Sequence, residues 1–257
     1  MPRLSAIVIA KNEAKNIEDC LDSVAFCDER IVVDGGSEDA TAAIAEKKGA
    51  RVVVNPEWKG FGPQKNYALS LAKGDWVFSI DADERVSAEL AALMQSMAAE
   101  GLADAYEMPR LSTFCGKPMR HSGWYPDYVL RLFKRGKARF SDDLVHEKVI
   151  CDGIVGRLRE PLIHHPVERL EDSLSRMDRY SSARAQMIVD SGRSVWFLTG
   201  IVRGLWTFVQ TYFIRLGFLD GREGLLLHLN HSVYIHWKFI KAWWAAYGKQ
   251  TPDSPVK

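Results

Sequence analysis

Apolar and polar positions fall into alternating blocks along the first eighty residues, and the blocks have two lengths. The short ones, Leu4–Ala10, Ile31–Val33, Arg51–Val54 and Trp76–Ile80, are rich in β-branched and aromatic side chains, which predicts strands buried on both faces. Between them the spacing predicts helices over Asn16–Val24, from Ala42 to Lys48 and over Gln64–Ala72. Ser37 is placed to cap the second, Gly49 and Gly74 to end the second and third, and Gly60-Phe61-Gly62-Pro63 reads as a loop. Strands alternating with helices across short connections predict an α/β fold, with a mostly parallel sheet covered on both faces.

After Gly101 the regularity weakens. Extended pieces are expected near Ala105–Arg110 and Tyr128–Phe133, on either side of an irregular Gly/Pro/aromatic stretch from Cys115 to Pro126. Long irregular connections in compact domains are usually functional, so this one is read as acceptor-side. Helix returns from about Glu171 to Val189. From Val195 to Tyr247 the chain carries five of its eight tryptophans, interleaved with Arg203, Arg215, Lys238 and Lys241. A bilayer-spanning helix needs about 20 largely apolar residues, and the arginines interrupt this stretch too often. Amphipathic helices lying in a membrane interface fit the pattern, as does a helical subdomain packed on the core or forming a dimer. The expected division is a catalytic domain over residues 1–165 and a helical, aromatic and basic extension over 166–257.

Composition changes this picture little. At 47% apolar and 26% charged over 257 residues, the chain can bury a large core, which excludes disorder. Cys20, Cys27, Cys115 and Cys151 show no paired spacing and no secretory leader is read ahead of them, so reduced thiols in the cytoplasm are expected and structural zinc is not. Charge matters more through its distribution: the total is +1, yet seven Lys/Arg face two acids between Arg193 and Lys249. A near-neutral total argues against nucleic acid as the main partner, and the basic tail asks for an anionic surface such as a membrane.

The chemistry is expected at the strand ends. The apolar run Trp76–Ile80 stops at Asp81-Ala82-Asp83-Glu84, two carboxylates separated by one residue. In an open α/β sheet ligands bind at the C-terminal strand ends, where Asp81 and Asp83 can hold a hard divalent ion against phosphate oxygens. The same acids also suit the N-terminus of a helix opened by Ser87. Asn12, Glu13 and Asp34 close the first two strands in the same way, although Asp34 before Gly35-Gly36 also suits an Asx-type turn and Lys65 a solvated helix charge. His164-His165-Pro166 is not read as a metal pair, because neighbours in an extended segment point to opposite sides; turn or core placement is expected.

Leu4–Glu13, Ile31–Thr41, Lys65-Asn66 and Asp81-Ala82-Asp83 together resemble, in order and spacing, the nucleotide-sugar half of family 2 glycosyltransferases. Gly217-Phe218-Leu219-Asp220-Gly221, Lys238-Phe239 and Lys241-Ala242-Trp243 resemble bacterial lipopolysaccharide-core transferases that add glucose to the first heptose. The resemblance implies a GT-A fold and inversion at the anomeric carbon. It implies that Ala10 and Glu13 frame the nucleoside, that Asp34 accepts from the uracil, and that Lys65 faces the diphosphate. Asp83 would contact Mg²⁺ or Mn²⁺, with Asp81 nearer the ribose or the metal's waters.

In Leu144-Val145-His146-Glu147 the resemblance points to Glu147 as the base that takes the acceptor hydroxyl's proton, with His146 orienting it or touching the acceptor. Asp142 and Asp143 compete locally, and an ordinary surface role for Glu147 stays open. Trp124 and Tyr125 suit stacking on a sugar face, and Arg131 or Arg135 an acceptor phosphate. The expected reaction moves a hexose, glucose first, from a UDP-sugar to a hydroxyl of a lipid-anchored core glycan. The protein would lie on the cytoplasmic face of the inner membrane, with a homo-oligomer through the C-terminal helices as a further expectation. Two alternatives remain: transfer to a polyprenyl phosphate, whose ionised oxygen has less need of Glu147, and a catalytically idle membrane scaffold. A pyrophosphorylase lacks support, because its Gly-rich, Arg-containing opening loop is absent.

Overall fold

The computed structural model describes residues 2–141, 148–167 and 169–248. In chain order the first elements are β1 (Leu4–Ala10), α1 (Ile17–Ser23), β2 (Glu29–Asp34), α2 (Thr41–Lys47), β3 (Arg51–Val54), α3 (Phe61–Leu71), β4 (Trp76–Ser79), β5 (Glu84–Arg85) and α4 (Ala88–Glu100). Seven strands follow: β6 (Ala105–Phe114), β7 (Lys117–Pro118), β8 (Asp127–Lys134), β9 (Ala138–Phe140), β10 (Val149–Cys151), β11 (Val155–Arg157) and β12 (Leu162–Val167). The chain then becomes helical through α5 (Leu170–Asp190), α6 (Phe197–Phe208), a π-helical turn (Val209–Ile214), a 3₁₀ turn (Gly217–Asp220) and α7 (Gly221–Gly248). It divides into two compact units, Met1–Leu111 with Pro126–His165, and Ser112–Tyr125 with Pro166–Lys257.

The first unit is built on a sheet ordered β3-β2-β1-β4-β8-β6-β12-β5. Its first four strands are parallel, and β8 and β6 extend it in antiparallel fashion. β1 is central to the parallel set and buried along nearly its whole length, which is why Leu4–Ala10 carries apolar residues at odd and even positions alike. The main core gathers Val8, Val32, Phe78 and Ile80 with Leu21, Leu90 and Met94 of the helices. Gly74 is required at the entry to β4: a Cβ there would stand 2.8 Å from the Arg3 carbonyl and 2.7 Å from Ser5 Oγ. Ser87 caps α4 as expected, accepting from the Leu90 N–H at 3.1 Å, and Gly101 ends that helix in the left-handed region.

Two local expectations are corrected. α3 begins at Phe61, so Phe61-Gly62-Pro63 forms its first turn rather than a loop, and proline is tolerated in a first turn because its missing N–H has no helical partner there. Ser37 does not cap α2, which starts after Ala40 without a side-chain cap, because its hydroxyl is drawn to Asp34.

In the second unit, Asp220 is buried and organises the stretch before Trp124. It accepts from the N–H groups of Arg120 and His121 at 3.1 and 3.0 Å, and meets His121 Nδ1 at 2.7 Å. Lys241 Nζ ties α7 to α5, donating to Asp178 at 2.6 Å and to Ser181 at 2.9 Å. No helix among the described residues is long and apolar enough to cross a membrane.

Candidate functional site at the parallel strand ends

Because β1 pairs with both β2 and β4, the three strands finish at one edge. Ala10 lies opposite Asp34, and the Ile80 N–H donates to the Ile7 carbonyl at 3.1 Å. The first two loops beyond that edge are laced together. Asn12, at φ 57°, donates its N–H to Ser37 Oγ at 2.9 Å and accepts from the Glu38 N–H at 2.8 Å. Glu13 donates its N–H to Thr41 Oγ1 at 2.8 Å, and its carboxylate accepts from Asn16 Nδ2 at 2.7 Å. These bonds fix the two loops as one rim.

Beside this rim opens a cleft of about 890 Å³, whose lining includes Ala10, Glu13, Gly35, Lys65, Asp81 and Asp83. Its apolar wall holds Trp58 and Phe61, edge to face at 4.8 Å and half exposed. An exposed aromatic pair inside a polar cleft offers a stacking surface for a planar or sugar ring.

The cleft floor is a buried charge cluster. Lys65 is 4% exposed, unlike a solvated helix charge, and its Nζ meets Asp81 Oδ1 at 2.8 Å. Arg131 on β8, also buried, sends Nη2 to Asp81 Oδ2 and to Glu84 Oε1, the latter at 2.6 Å. Glu84 is fully buried and accepts the Asp81 N–H at 3.0 Å. Burial opposes charge on Asp81, but Arg131 and Lys65 overcome it and hold its carboxyl well below the usual carboxylate range. For Glu84 burial wins over Arg131, and its carboxyl is pushed above the ordinary value. Burial works against the Arg131 cation too, yet Asp81 and Glu84 outweigh it and raise its pKa. Asp81 thus stays ionised while gripped by two cations.

Asp83 is differently placed. Its Oδ2 stands 3.4 Å from His164 Nε2, close to the roughly 3 Å between neighbouring ligands of an octahedral ion bound at 2.0–2.1 Å. β12 creates this pairing: His164 lies opposite Glu84 in the antiparallel register, and the His165 N–H donates to the Asp83 carbonyl at 2.8 Å. Among the described residues no group of three or more His, Cys, Asp or Glu is arranged to hold a metal. A carboxylate and an imidazole on one side of an open cleft fit a divalent ion whose remaining ligands would be phosphate oxygens and water. The carboxylate suits Mg²⁺ or Mn²⁺ alike, while the imidazole nitrogen favours the transition metal over Mg²⁺, which prefers oxygen.

The structure therefore brings Ala10, Glu13, Lys65, Asp81 and Asp83 to one cleft. Asp34, between the lining residue Gly35 and the strand position opposite Ala10, does not itself line the cleft and is 2% exposed, with its carboxylate accepting the Ser37 N–H at 3.1 Å in an Asx-type turn. Arg131 is buried beneath the acids and unavailable to an acceptor phosphate. Arg135 donates to the Gly74 carbonyl at 2.9 Å, at the opposite end of β4. Trp124 and Tyr125 belong to the second unit, where Trp124 packs against the Phe114, Met119 and Leu227 cluster and Arg120 stands over Tyr125 at 5.7 Å. His146 and Glu147 lie outside the described residues.

Three features escape sequence reasoning. Glu84 reads as one more helix-start acid, since its partner Arg131 is 47 residues away. Trp58 had no periodicity to place it. The alternation rule argues against His164 and His165 as a pair, yet alternation itself turns one of two adjacent histidines, His164, toward the cleft.

A parallel sheet with acids at its strand ends, extended by antiparallel strands and covered by helices, is the GT-A architecture of sugar-transferring enzymes. Residues 5–165 match Glycosyl transferase family 2, and the chain belongs to that family. A glycosyltransferase of Rickettsia felis, itself uncharacterized, is 32% identical over 256 residues, covering 94% of this chain and 88% of that one. The lipopolysaccharide core biosynthesis glycosyltransferase LpsC of Rhizobium meliloti is 30% identical over 244 residues, covering 90% and 88%. The crystal structure of S. aureus TarS 1–349 in complex with UDP shares the fold at 15% identity and a TM-score of 0.50, over 97% of this chain and 92% of that one.

Proposed function

We propose that this glycosyltransferase moves a hexose, glucose as the first candidate, from a UDP-sugar to a hydroxyl of a lipopolysaccharide-core sugar, heptose as the first candidate, with inversion. The observation that carries the reading is the convergence of Lys65, Asp81 and Asp83 on one cleft at the ends of parallel strands. The name of the Rhizobium meliloti relative supports the lipopolysaccharide acceptor. A lipid-anchored acceptor of this kind would be met at the cytoplasmic face of the inner membrane.

The nucleoside would lie along Ala10 to Glu13, with Trp58 and Phe61 as stacking partners. The uracil ring would face Asp34, whose carboxylate keeps acceptor capacity beyond its bonds to Ser37. Asp83 and His164 would hold Mg²⁺ or Mn²⁺, which supplies positive charge to the leaving diphosphate. Lys65 adds a fixed cation beside the same phosphates, and the buried network beneath it keeps that cation from drifting. The acceptor oxygen forms a bond to the anomeric carbon as the bond to the diphosphate breaks on the opposite face. UDP leaves with the electron pair, and the hydroxyl proton passes to a carboxylate base, for which Glu147 is the proposed group.

The test is incubation of the full chain with a panel of UDP-sugars and, in parallel, truncated core lipopolysaccharide or a polyprenyl phosphate, reading product mass and linkage. One hexose added in glycosidic linkage to a core sugar supports the proposal. Mass gained only by a polyprenyl phosphate would replace the acceptor, and a protein that neither binds UDP nor turns over any donor would be the idle scaffold.

A further inference from the structure

Helix α6 and the π-helical turn after it are built the wrong way round for water. The middle of their inner face is small or polar, while Phe197 at the start of α6 meets Trp243 of α7 edge to face at 5.1 Å. A Cβ on Gly200 would stand 2.8 Å from the His236 carbonyl, and one on Gly204 would stand 3.1 Å from the Ser232 carbonyl. Ser232 Oγ donates to the Gly204 carbonyl at 2.8 Å, and Thr211 is buried on the same side. Glycines four residues apart let the backbones of α6 and α7 close on each other, with Ile240 of α7 filling the space at Gly200. The large apolar residues are left outside: Trp196, Val202, Leu205, Trp206, Phe213 and Ile214 are all more than half exposed. A helix on a soluble protein turns its apolar stripe inward. Single exposed apolar residues are ordinary, but a contiguous set marks an interaction surface.

Charge identifies the occupant. Between Asp190 and Asp220 there is no acidic residue, while Arg193, Arg203 and Arg215 are present and all exposed. Two copies joined through this basic segment would bring like charges together with no carboxylate of the segment to meet them; of the three arginines, Arg203 lies on the flank, over the Phe239 ring of α7 at 4.9 Å. Anionic lipid headgroups supply the missing charge, and tryptophans such as Trp196 and Trp206 suit the headgroup level. With no described helix long and apolar enough to span, the segment suits lying in the interface. We propose that the outer face of α6 and its π-helical turn is the docking surface of this protein for an anionic lipid bilayer. The π-helical turn continues the apolar face from Leu205 and Trp206 to Phe213 and Ile214. The inference stands apart from the reaction, because UDP binding at the strand-end cleft is measured separately and either can fail alone.

The experiment is flotation of the full chain with vesicles of phosphatidylglycerol and phosphatidylethanolamine in equal parts, and with vesicles of phosphatidylcholine alone. The wild type is expected to float with the anionic vesicles, less so in high salt, and weakly with the zwitterionic ones. The double variant Leu205→Glu/Ile214→Glu should lose about tenfold or more of that partitioning while keeping its circular dichroism spectrum and UDP affinity. Leu102→Glu, an exposed leucine of the first unit, should float as the wild type does. The proposal is overturned if the wild type ignores both vesicles, if the double variant floats unchanged, or if sedimentation shows a dimer that the double variant dissolves.

Discussion

The strand-end cleft and the C-terminal helices break the usual partition of side chains in opposite directions. In the first unit charged groups are inside: Lys65, Arg131 and Glu84 are buried and joined to Asp81. In the second, large apolar groups are outside, on the face of α6 turned away from α7. Each departure costs stability in an isolated soluble chain. The difference lies in how that cost is met. The buried charges are compensated within the protein by one another, whereas the exposed apolar face has no counterpart among the described residues, and on the proposed reading a lipid surface supplies it.

The sharpest way to break this contrast is to remove the cation shared by the two acids. Arg131→Met should lower unfolding stability by about 3–5 kcal/mol, because Asp81 and Glu84 are left buried with less compensation. Urea denaturation of both proteins measures this, and an unchanged midpoint would mean that the network is ornamental. Next, Gly200→Leu should cost about 1–3 kcal/mol, since a Cβ only 2.8 Å from the His236 carbonyl forces α6 off α7. An unaffected melting temperature would contradict the close helix contact.

Smaller effects sharpen the comparison. Asp81 has a carboxyl held below its unfolded value, so its ionisation stabilises the fold at neutral pH, and that contribution is lost as pH falls below the ordinary carboxylate range. Asp81→Asn should therefore flatten the acid side of the stability curve and cost roughly 1–2 kcal/mol at pH 7, given the partial exposure of that side chain. Equal slopes in the two proteins would refute the assignment. Glu84, with its carboxyl raised, acts with the opposite sign: its contribution is present below its unfolded pKa and lost as pH rises. The two acids need separate variants for that reason. Last, Leu205→Gln should leave unfolding stability within about 0.5 kcal/mol, since that side chain packs on little; a large loss would show that the face is covered in solution.

The same contrast explains what the sequence made legible. Strands β1 and β4 and the inner part of β2 were readable because burial on both faces leaves runs of apolar residues, and the acids stood out where those runs stopped; β3, expected to be buried likewise, is the edge strand, with Arg51 and Val54 exposed. α5, expected over Glu171–Val189, runs Leu170–Asp190. Arg131 was not readable: a cation amid Val129, Leu130 and Leu132 looks like a surface residue of an edge strand until its partners on other elements are known. Glu84 and His164 share that difficulty, since each role depends on a register between distant strands. Gly200 and Gly204 were visible in an apolar stretch, but which face of α6 they occupied was not, because periodicity gives the faces of a helix and not which one is covered.

In the proposed function Asp83 serves a cation carrying the diphosphate of a donor. Calorimetry of UDP binding, with and without Mn²⁺, to the wild type and to Asp83→Asn tests it most directly. Mn²⁺ is expected to tighten UDP binding to the wild type by about tenfold or more, and Asp83→Asn to abolish this gain without changing the melting temperature. Equal UDP affinity with and without the metal, unaltered by Asp83→Asn, would contradict it.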